Sequence, residues 1–219
     1  YDSTANDSDG TAFQGVQGGV DAKIDGGDWF NGTTSYVSTG LYSDEMTNVT
    51  FSTWFKADSD DIGGSVDVYA EERLITQRRT GGVEGQTSRI SLLLYDNTVC
   101  GFYYTGTNNR INGGPLINDH SWHQAAVTYD GTTLRVYTDG VQVASVGVTN
   151  IYTPSHEFVE FGRQTIDLRY FYGTMDESRI PDAARSAGWM LTEYNNQSNP
   201  STFYATGARS TAVLSNQVV

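Results

Sequence analysis

Apolar and polar positions alternate in short runs along most of this chain, and turn residues rather than long polar stretches separate the runs. Residues 49–57 (VTFSTWFKA), 73–79, 89–95 (RISLLLY), 99–105, 122–129, 133–138, 141–146, 158–162 and 170–180 are rich in β-branched and aromatic side chains and predict strands. Asp130-Gly131 and Asp139-Gly140 lie nine positions apart between alternating segments. Such pairs favour tight hairpins because both central residues tolerate positive φ, so a meander is expected here. Its alternation puts Leu134 and Val136 on one face and Arg135 and Tyr137 on the other. RISLLLY is nearly continuously apolar, as expected in the centre of a sandwich sheet.

Helical character is confined to one segment, 181–196. Pro181 suits a first turn, and Ser186 is an alternative N-cap if the helix divides. Trp189, Met190 and Tyr194 are expected to face the sheets, with Asn195 and Asn196 ending the helix. Residues 1–35 are dense in Gly, Asp, Ser and Thr and read as ordered loop with short strands and no visible core. Residues 58–72 (DSDDIGGSVDVYAEE) read as a solvated acidic loop. No repeat or low-complexity linker divides the chain, so one domain is expected over 1–204, followed by a tail over 205–219. The fold class expected is all-β: two antiparallel sheets packed as a sandwich, with one short C-terminal helix.

Composition sharpens this picture. At 219 residues the chain can bury a core without help from metal or disulfide, and its single cysteine, Cys100, has no partner within the chain. Cys100 reads as a buried small residue. Thirteen basic residues against 26 acidic ones give a net charge of −13, with lysine only at Lys23 and Lys56. That sign repels phosphate backbones and anionic lipid, so neither nucleic acid nor membrane insertion is expected. There is no apolar run of 18 residues. Abundant Gly, Tyr, Thr, Ser and Asn with little Lys point to an extracellular or cell-surface setting.

Three separated motifs carry a family likeness. Trp122-His123, Val127-x-Tyr129-Asp130-Gly131-x-x-Leu134-x-x-Tyr137-x-Asp139-Gly140 resembles the central signature of laminin-G-like, concanavalin A-like jelly-roll domains of prokaryotic surface proteins. Asp2-Ser3-Thr4-Ala5-Asn6, Gly10-Thr11, Lys23-Ile24-Asp25-Gly26 and Phe30-Asn31-Gly32-Thr33-x-x-Tyr36-Val37 resemble that family's N-terminal half. Gly173-x-Met175-Asp176-Glu177-x-Arg179-Ile180, with Ala184-Arg185-Ser186-Ala187-x-Trp189 and Glu193-Tyr194-Asn195-Asn196-Gln197, resembles its last strand and closing helix. The likeness covers about residues 2–204 and speaks to fold more than to function.

The resemblance implies a structural calcium ion clamped between the N-terminal loop and the Asp-Glu strand near the C-terminus, a setting that supplies the oxygen ligands calcium takes. The matching positions are Asp2, Asn6 and Asp176. Asp7 stands where the family usually has glycine, and Asp9 is close by. Asp2, Asp7 and Asp9 read equally as a solvated polar terminus.

Catalytic signals are thin. Retaining sandwich glycanases place two glutamates and an aspartate on one face of one strand, whereas Glu157 and Glu160 have the wrong parity, and Asp176 and Glu177 should point to opposite sides. His120, His123 and His156 show no metal spacing, and His123 reads as a packing position. For binding, tyrosines that can stack on sugar rings are the candidates: Tyr103, Tyr104, Tyr170 and Tyr172, with at least one of each pair expected to face inward. Arg78-Arg79 beside Gly81-Gly82 suits either an acidic glycan or a solvent-facing hairpin rim. The expected function is a non-catalytic, calcium-stabilised glycan-binding or adhesion module with a polysaccharide or surface-glycan partner. The first alternative is a structural subunit that partners copies of itself, using residues 210–219 (STAVLSNQVV) as an added strand in an extracellular filament or surface layer. The second is a glycanase.

Overall fold

The computed structural model describes residues 9–42, 47–62, 71–78, 88–151, 158–164 and 169–200. Asp2, Asn6, Asp7, His156, Glu157, Arg79, Gly81, Gly82 and the tail 205–219 lie outside the described residues. In chain order the strands are β1 (Thr11–Phe13), β2 (Gln17–Asp21), β3 (Gly26–Asn31), β4 (Tyr36–Tyr42), β5 (Val49–Ala57), β6 (Glu72–Arg78), β7 (Ser88–Tyr95) and β8 (Thr98–Tyr104). They continue as β9 (Asn108–Gly113), β10 (His123–Tyr129), β11 (Thr133–Thr138), β12 (Val141–Gly147), β13 (Phe158–Phe161), β14 (Arg163–Gln164), β15 (Arg169–Tyr170) and β16 (Tyr172–Arg179). One helix, α1 (Ala187–Ser198), follows.

Two seven-stranded sheets form the body. The first has the order β1-β4-β13-β6-β7-β8-β9 and the second β12-β11-β10-β5-β16-β3-β2, with every pairing antiparallel. A two-stranded ladder, β14-β15, stands apart. Between the sheets Phe51, Phe55, Leu74, Ile75, Ile90, Leu92, Leu94, Val127, Leu134 and Val136 form one core with Phe30 and Phe171. Full burial of each large side chain contributes roughly 1.5–3 kcal/mol. Gly101 on β8 lets the layers close: a Cβ there would stand 2.8 Å from Val136 Cγ2 and 3.0 Å from Leu134 Cδ2.

The strand expectations hold with small shifts in boundary, and 49–57 and 133–138 coincide with β5 and β11. β7 is interior to its sheet and buried on both faces: Ile90, Leu92 and Leu94 join the core, while Leu93 joins Cys100, Phe102 and Tyr104 in a second buried cluster beside the polar Arg89 and Ser91. Cys100 is buried, and burial pushes its thiol up to about 12. Leu134 and Val136 face inward, while Tyr137 packs with Ala126 and Met190 under the helix.

Several expectations are corrected. The first 35 residues do reach the core, through Phe30. Residues 58–72 are not wholly solvated: Ile62 is in the core, and Glu71 and Glu72 are buried. The segment 170–180 is interrupted, with Tyr170 closing β15 before β16 begins at Tyr172. The helix starts at Ala187 rather than Pro181, capped by Ser186, whose hydroxyl accepts from Trp189 N at 3.2 Å. The Pro181 segment instead runs along β5, where Thr50 N donates to Pro181 O (3.1 Å) and Arg185 N donates to Thr50 Oγ1 (2.9 Å). Met190 and Tyr194 face the second sheet, Tyr194 stacking on Trp54 at 5.5 Å between centroids, but Trp189 is exposed. The helix passes Asn195 and Asn196 to end at Ser198.

The two Asp-Gly turns differ. Asp139 and Gly140 both have positive φ, 52° and 75°, as a tight two-residue hairpin requires. At Asp130-Gly131 only the glycine does, because Asp130 Oδ1 accepts from Thr132 N (3.0 Å) and Thr133 N (2.8 Å) and so builds the turn with its side chain. His123 is more than packing. Its Nδ1 meets Asp139 Oδ2 at 2.8 Å and its Nε2 meets Asp119 Oδ1 at 3.1 Å, tying β10 to the β11–β12 turn.

Candidate functional site

Where β3, β5 and β16 end beside one another, the sequence places Trp29, Asp58 and Tyr172 on one rim of the second sheet. Register pairs Tyr172 with Asn31 and Thr174 with both Trp29 and Lys56, so these positions share its outer face. Tyr172 keeps 40% of its surface exposed and meets Trp29 edge-on at 6.1 Å between centroids. Trp29 Nε1 donates to Asp58 Oδ2 at 3.1 Å. Behind them Asn31 Oδ1 accepts from the backbone N–H groups of Thr33, Thr34 and Ser35 at 2.9–3.0 Å, which folds the β3–β4 turn against the rim.

Tyr172 is held by its backbone from both layers. Asp58 N, just past β5, donates to Tyr172 O at 2.9 Å, and Tyr172 N donates to Glu72 Oε2 at 3.2 Å, where β6 of the first sheet begins. The Ser59 hydroxyl donates to the other Glu72 oxygen. Burial is the main cause pushing the Glu72 carboxyl up to about 7; the Ser59 and Tyr172 hydrogen bonds pull the other way, and the Asp58 charge adds to the rise. Both Glu72 oxygens are spent on these contacts, so the carboxyl positions the Tyr172 backbone.

A second charged group lies on the outer face of the first sheet. Arg73 pairs with Leu93, whose side chain belongs to the outer cluster, and Phe102 pairs with Arg110. The Glu71 carboxylate takes Arg73 Nη2 at 2.7 Å, Arg169 Nη1 at 2.5 Å and Arg110 Nη2. Arg73 stands over the Phe102 ring at 5.1 Å, and Arg110 over Tyr95 and Phe102 at 5.4 and 5.9 Å. Burial pulls the Arg73 guanidinium down to about 10, with Glu71 resisting and Arg169 and Arg110 adding to the fall. Further along this face Glu160 binds Arg163, which lies over Tyr36.

The sequence-predicted residues separate. Tyr172 is the exposed one. Tyr170 is half-buried opposite Arg163. Tyr103 is in the core and Tyr104 in the outer cluster, so neither of these two candidates offers a ring to solvent. Asp9 is exposed. Asp176 is buried, its carboxylate accepting from Ile24 N and Glu177 N at 2.7 Å each. Glu177 has φ 51° in a bulge, so strict alternation with Asp176 fails. Among the described residues no group of three His, Cys, Asp or Glu is arranged to hold a metal ion. Trp29, Asp58 and the Glu71–arginine cluster were missed by sequence reasoning. An indole at an outward strand position was the available signal for Trp29; the cluster joins positions up to 98 apart and left none.

This arrangement of two antiparallel sheets and a closing helix defines a jelly-roll sandwich of the lectin type. The chain belongs to the concanavalin A-like lectin/glucanases superfamily, whose profile matches residues 31–189. Curated proteins searched by sequence give no match. Among solved structures, the binding domain of Paraclostridial Mosquitocidal Protein 1 is similar with a TM-score of 0.68 and 14% identity, over 88% of this chain and 48% of that one. The Botulinum Neurotoxin Type G receptor binding domain has a TM-score of 0.63 and 15% identity, over 89% and 48%. Domain 4 of AbnA, a GH43 extracellular arabinanase from Geobacillus stearothermophilus solved with arabinotriose, has a TM-score of 0.66 and 19% identity, over 86% and 89%. The chain thus spans about half the length of the toxin domains and most of the arabinanase domain, and at these identities the likeness is one of fold.

Proposed function

We propose that this protein is a non-catalytic glycan-binding module of an exported or cell-surface protein, and that Tyr172 is the platform on which a sugar ring docks. The observation that carries the reading is the pinning of Tyr172 between Asp58 and Glu72, with Trp29 against its edge. A half-exposed ring on a fixed backbone, braced edge-on by Trp29, offers a flat apolar face at reduced entropic cost, and Asp58 and Lys56 beside it can bond hydroxyls. The arabinotriose complex of a domain with the same fold supports a saccharide as the ligand. A glycan array and affinity electrophoresis test it. Wild-type protein is retained by at least one polysaccharide, and Tyr172→Ala loses retention while its melting temperature stays near that of wild type. Retention unchanged in Tyr172→Ala removes the platform, and silence across the panel removes the module.

Calcium belongs to the same proposal. Asp28 and Asp176 line one cavity of about 960 Å³ at the β3–β16 side, with Glu177 and Asp182 also on its wall. Burial, with the Asp176 charge adding, holds the Asp28 carboxyl above the usual range. A divalent cation held by Asp176 together with Asp2 and Asn6 of the N-terminal segment would offset that repulsion; the described carboxylates alone form no metal-holding group.

A further inference from the structure

A second cavity, of about 330 Å³, lies where the β11–β12 hairpin meets the segment leading into α1, with Arg135, Tyr137, Gln142, Arg185, Ser186 and Ala187 on its wall. The Tyr172 site makes no use of it. Three groups with spare donors converge there. Arg185 pairs with no carboxylate among the described residues; its guanidinium lies over the Trp189 ring at 4.1 Å, and its Nε is buried without a partner. Tyr137 is 1% exposed, and its hydroxyl makes no hydrogen bond among the described residues. The first turn of α1 carries no acidic side chain, and Ser186 Oγ takes only Trp189 N, which leaves the amides of Ala187 and Gly188 without partners among the described residues. The acid on this wall, Asp130, is already held: it accepts from Arg135 Nη1 at 2.7 Å and from Thr132 N and Thr133 N at 3.0 and 2.8 Å. Thr50 Oγ1 donates to Ala183 O at 2.7 Å and accepts from Arg185 N at 2.9 Å, so Arg185 reaches the cavity from a fastened backbone.

We propose that this cavity is an anion subsite that takes a carboxylate or sulfate ester carried by a saccharide, bonded by the Arg185 guanidinium, the Tyr137 hydroxyl and the first amides of α1, while the sugar body lies against Trp189. A guanidinium presents several donors to such an oxyanion, and a helix N-terminus adds N–H groups aimed at negative charge. Trp189, 49% exposed beside Arg185, gives the sugar an apolar surface. A net charge of −13 repels an acidic ligand at long range, so its capture here depends on these particular donors and not on general attraction. The proposal rests on the glycan-binding reading and names an acidic class of ligand for a site separate from Tyr172.

Affinity electrophoresis of the full chain decides it, using polygalacturonate and dextran sulfate, each beside its uncharged counterpart, carboxyl-reduced polygalacturonate and plain dextran, with polyglutamate as a control for charge. Wild-type protein is retarded about tenfold more strongly by at least one acidic polysaccharide than by its counterpart, the ratio expected of a charged hydrogen bond. Preference for polygalacturonate alone assigns a carboxylate, for dextran sulfate alone a sulfate ester, and for both an oxyanion of either kind. Arg185→Gln loses the preference and melts near the wild-type temperature, having no ion pair to lose, whereas Tyr172→Ala keeps the preference. A purely structural role for Arg185 predicts preference retained in Arg185→Gln and overturns the proposal. Tyr137→Phe, which removes only the hydroxyl, lowers the preference; should Arg185→Gln fail to fold, an unchanged preference in Tyr137→Phe overturns the proposal instead. Equal retardation by acidic and uncharged polymers overturns it while leaving the glycan-binding reading intact. Equal retardation by polyglutamate also overturns it, since the site would then read charge alone. No retardation by any polysaccharide here or on the array removes both.

Discussion

Glu71 and Glu72 are chain neighbours with opposite electrostatic surroundings. Glu71 faces three arginines on the outer side of the first sheet, whereas Glu72 turns to Ser59 and the Tyr172 backbone and meets no cation among the described residues. The Glu72 carboxyl, ordinarily at 4.5, is pushed up to about 7. A carboxyl raised on folding favours the folded state most below its unfolded value, and that contribution is lost as pH rises through 7. Glu72→Gln, neutral at every pH, should therefore stabilise the protein at pH 8 by up to ~3 kcal/mol relative to its effect at pH 4. Thermal melts of both proteins from pH 4 to 8 check this, and parallel curves would refute it.

His123 makes the companion case. Burial alone would lower its pKa, but Asp139 and Asp119 outweigh that and hold it above the ordinary value. The charged imidazole thus stabilises the fold fully below about pH 6.5, and the contribution fades as pH rises through the raised folded value. His123→Gln should cost roughly 1 kcal/mol more at pH 5.5 than at pH 9, read from denaturant midpoints at the two pH values.

The close approach of the sheets at Gly101 predicts an intolerant position. Gly101→Val drives a branched side chain into Val136 and Leu134, and should cost about 2–3 kcal/mol, or more if the layers part. Gly147→Ala has open space around the new methyl and should leave the midpoint within about 1 kcal/mol. Paired unfolding curves compare them.

If calcium joins the two ends of the domain, EDTA should lower the melting temperature by several degrees and added calcium should restore it, corresponding to roughly 2.7 kcal/mol at a hundredfold excess over Kd. Coincident melts would withdraw the ion.

Much of the sandwich was legible because burial repeats locally. β5 and β11 follow from alternation within a few residues, and the αL pair Asp139-Gly140 from turn chemistry. β9 was not legible: Asn-Asn-Arg-Ile-Asn-Gly has poor strand propensity, and only its place at the sheet edge beside β8 makes it a strand. The helix start was misplaced because Thr50, 131 positions before Pro181, offers the Pro181 segment partners that no local pattern announces. Tyr172 was legible as an aromatic on a strand, but its fixity depends on Asp58 and Glu72, and Tyr104 shows how the same residue type vanishes when the outer face also has a packed cluster.

Fastening one residue's amide and carbonyl to opposite slabs makes that residue a rivet. Anything that grips the Tyr172 ring also resists separation of the slabs at this end, so occupancy should register as slower amide exchange at Asp58 and Tyr172, far ahead of any change at the β9 edge.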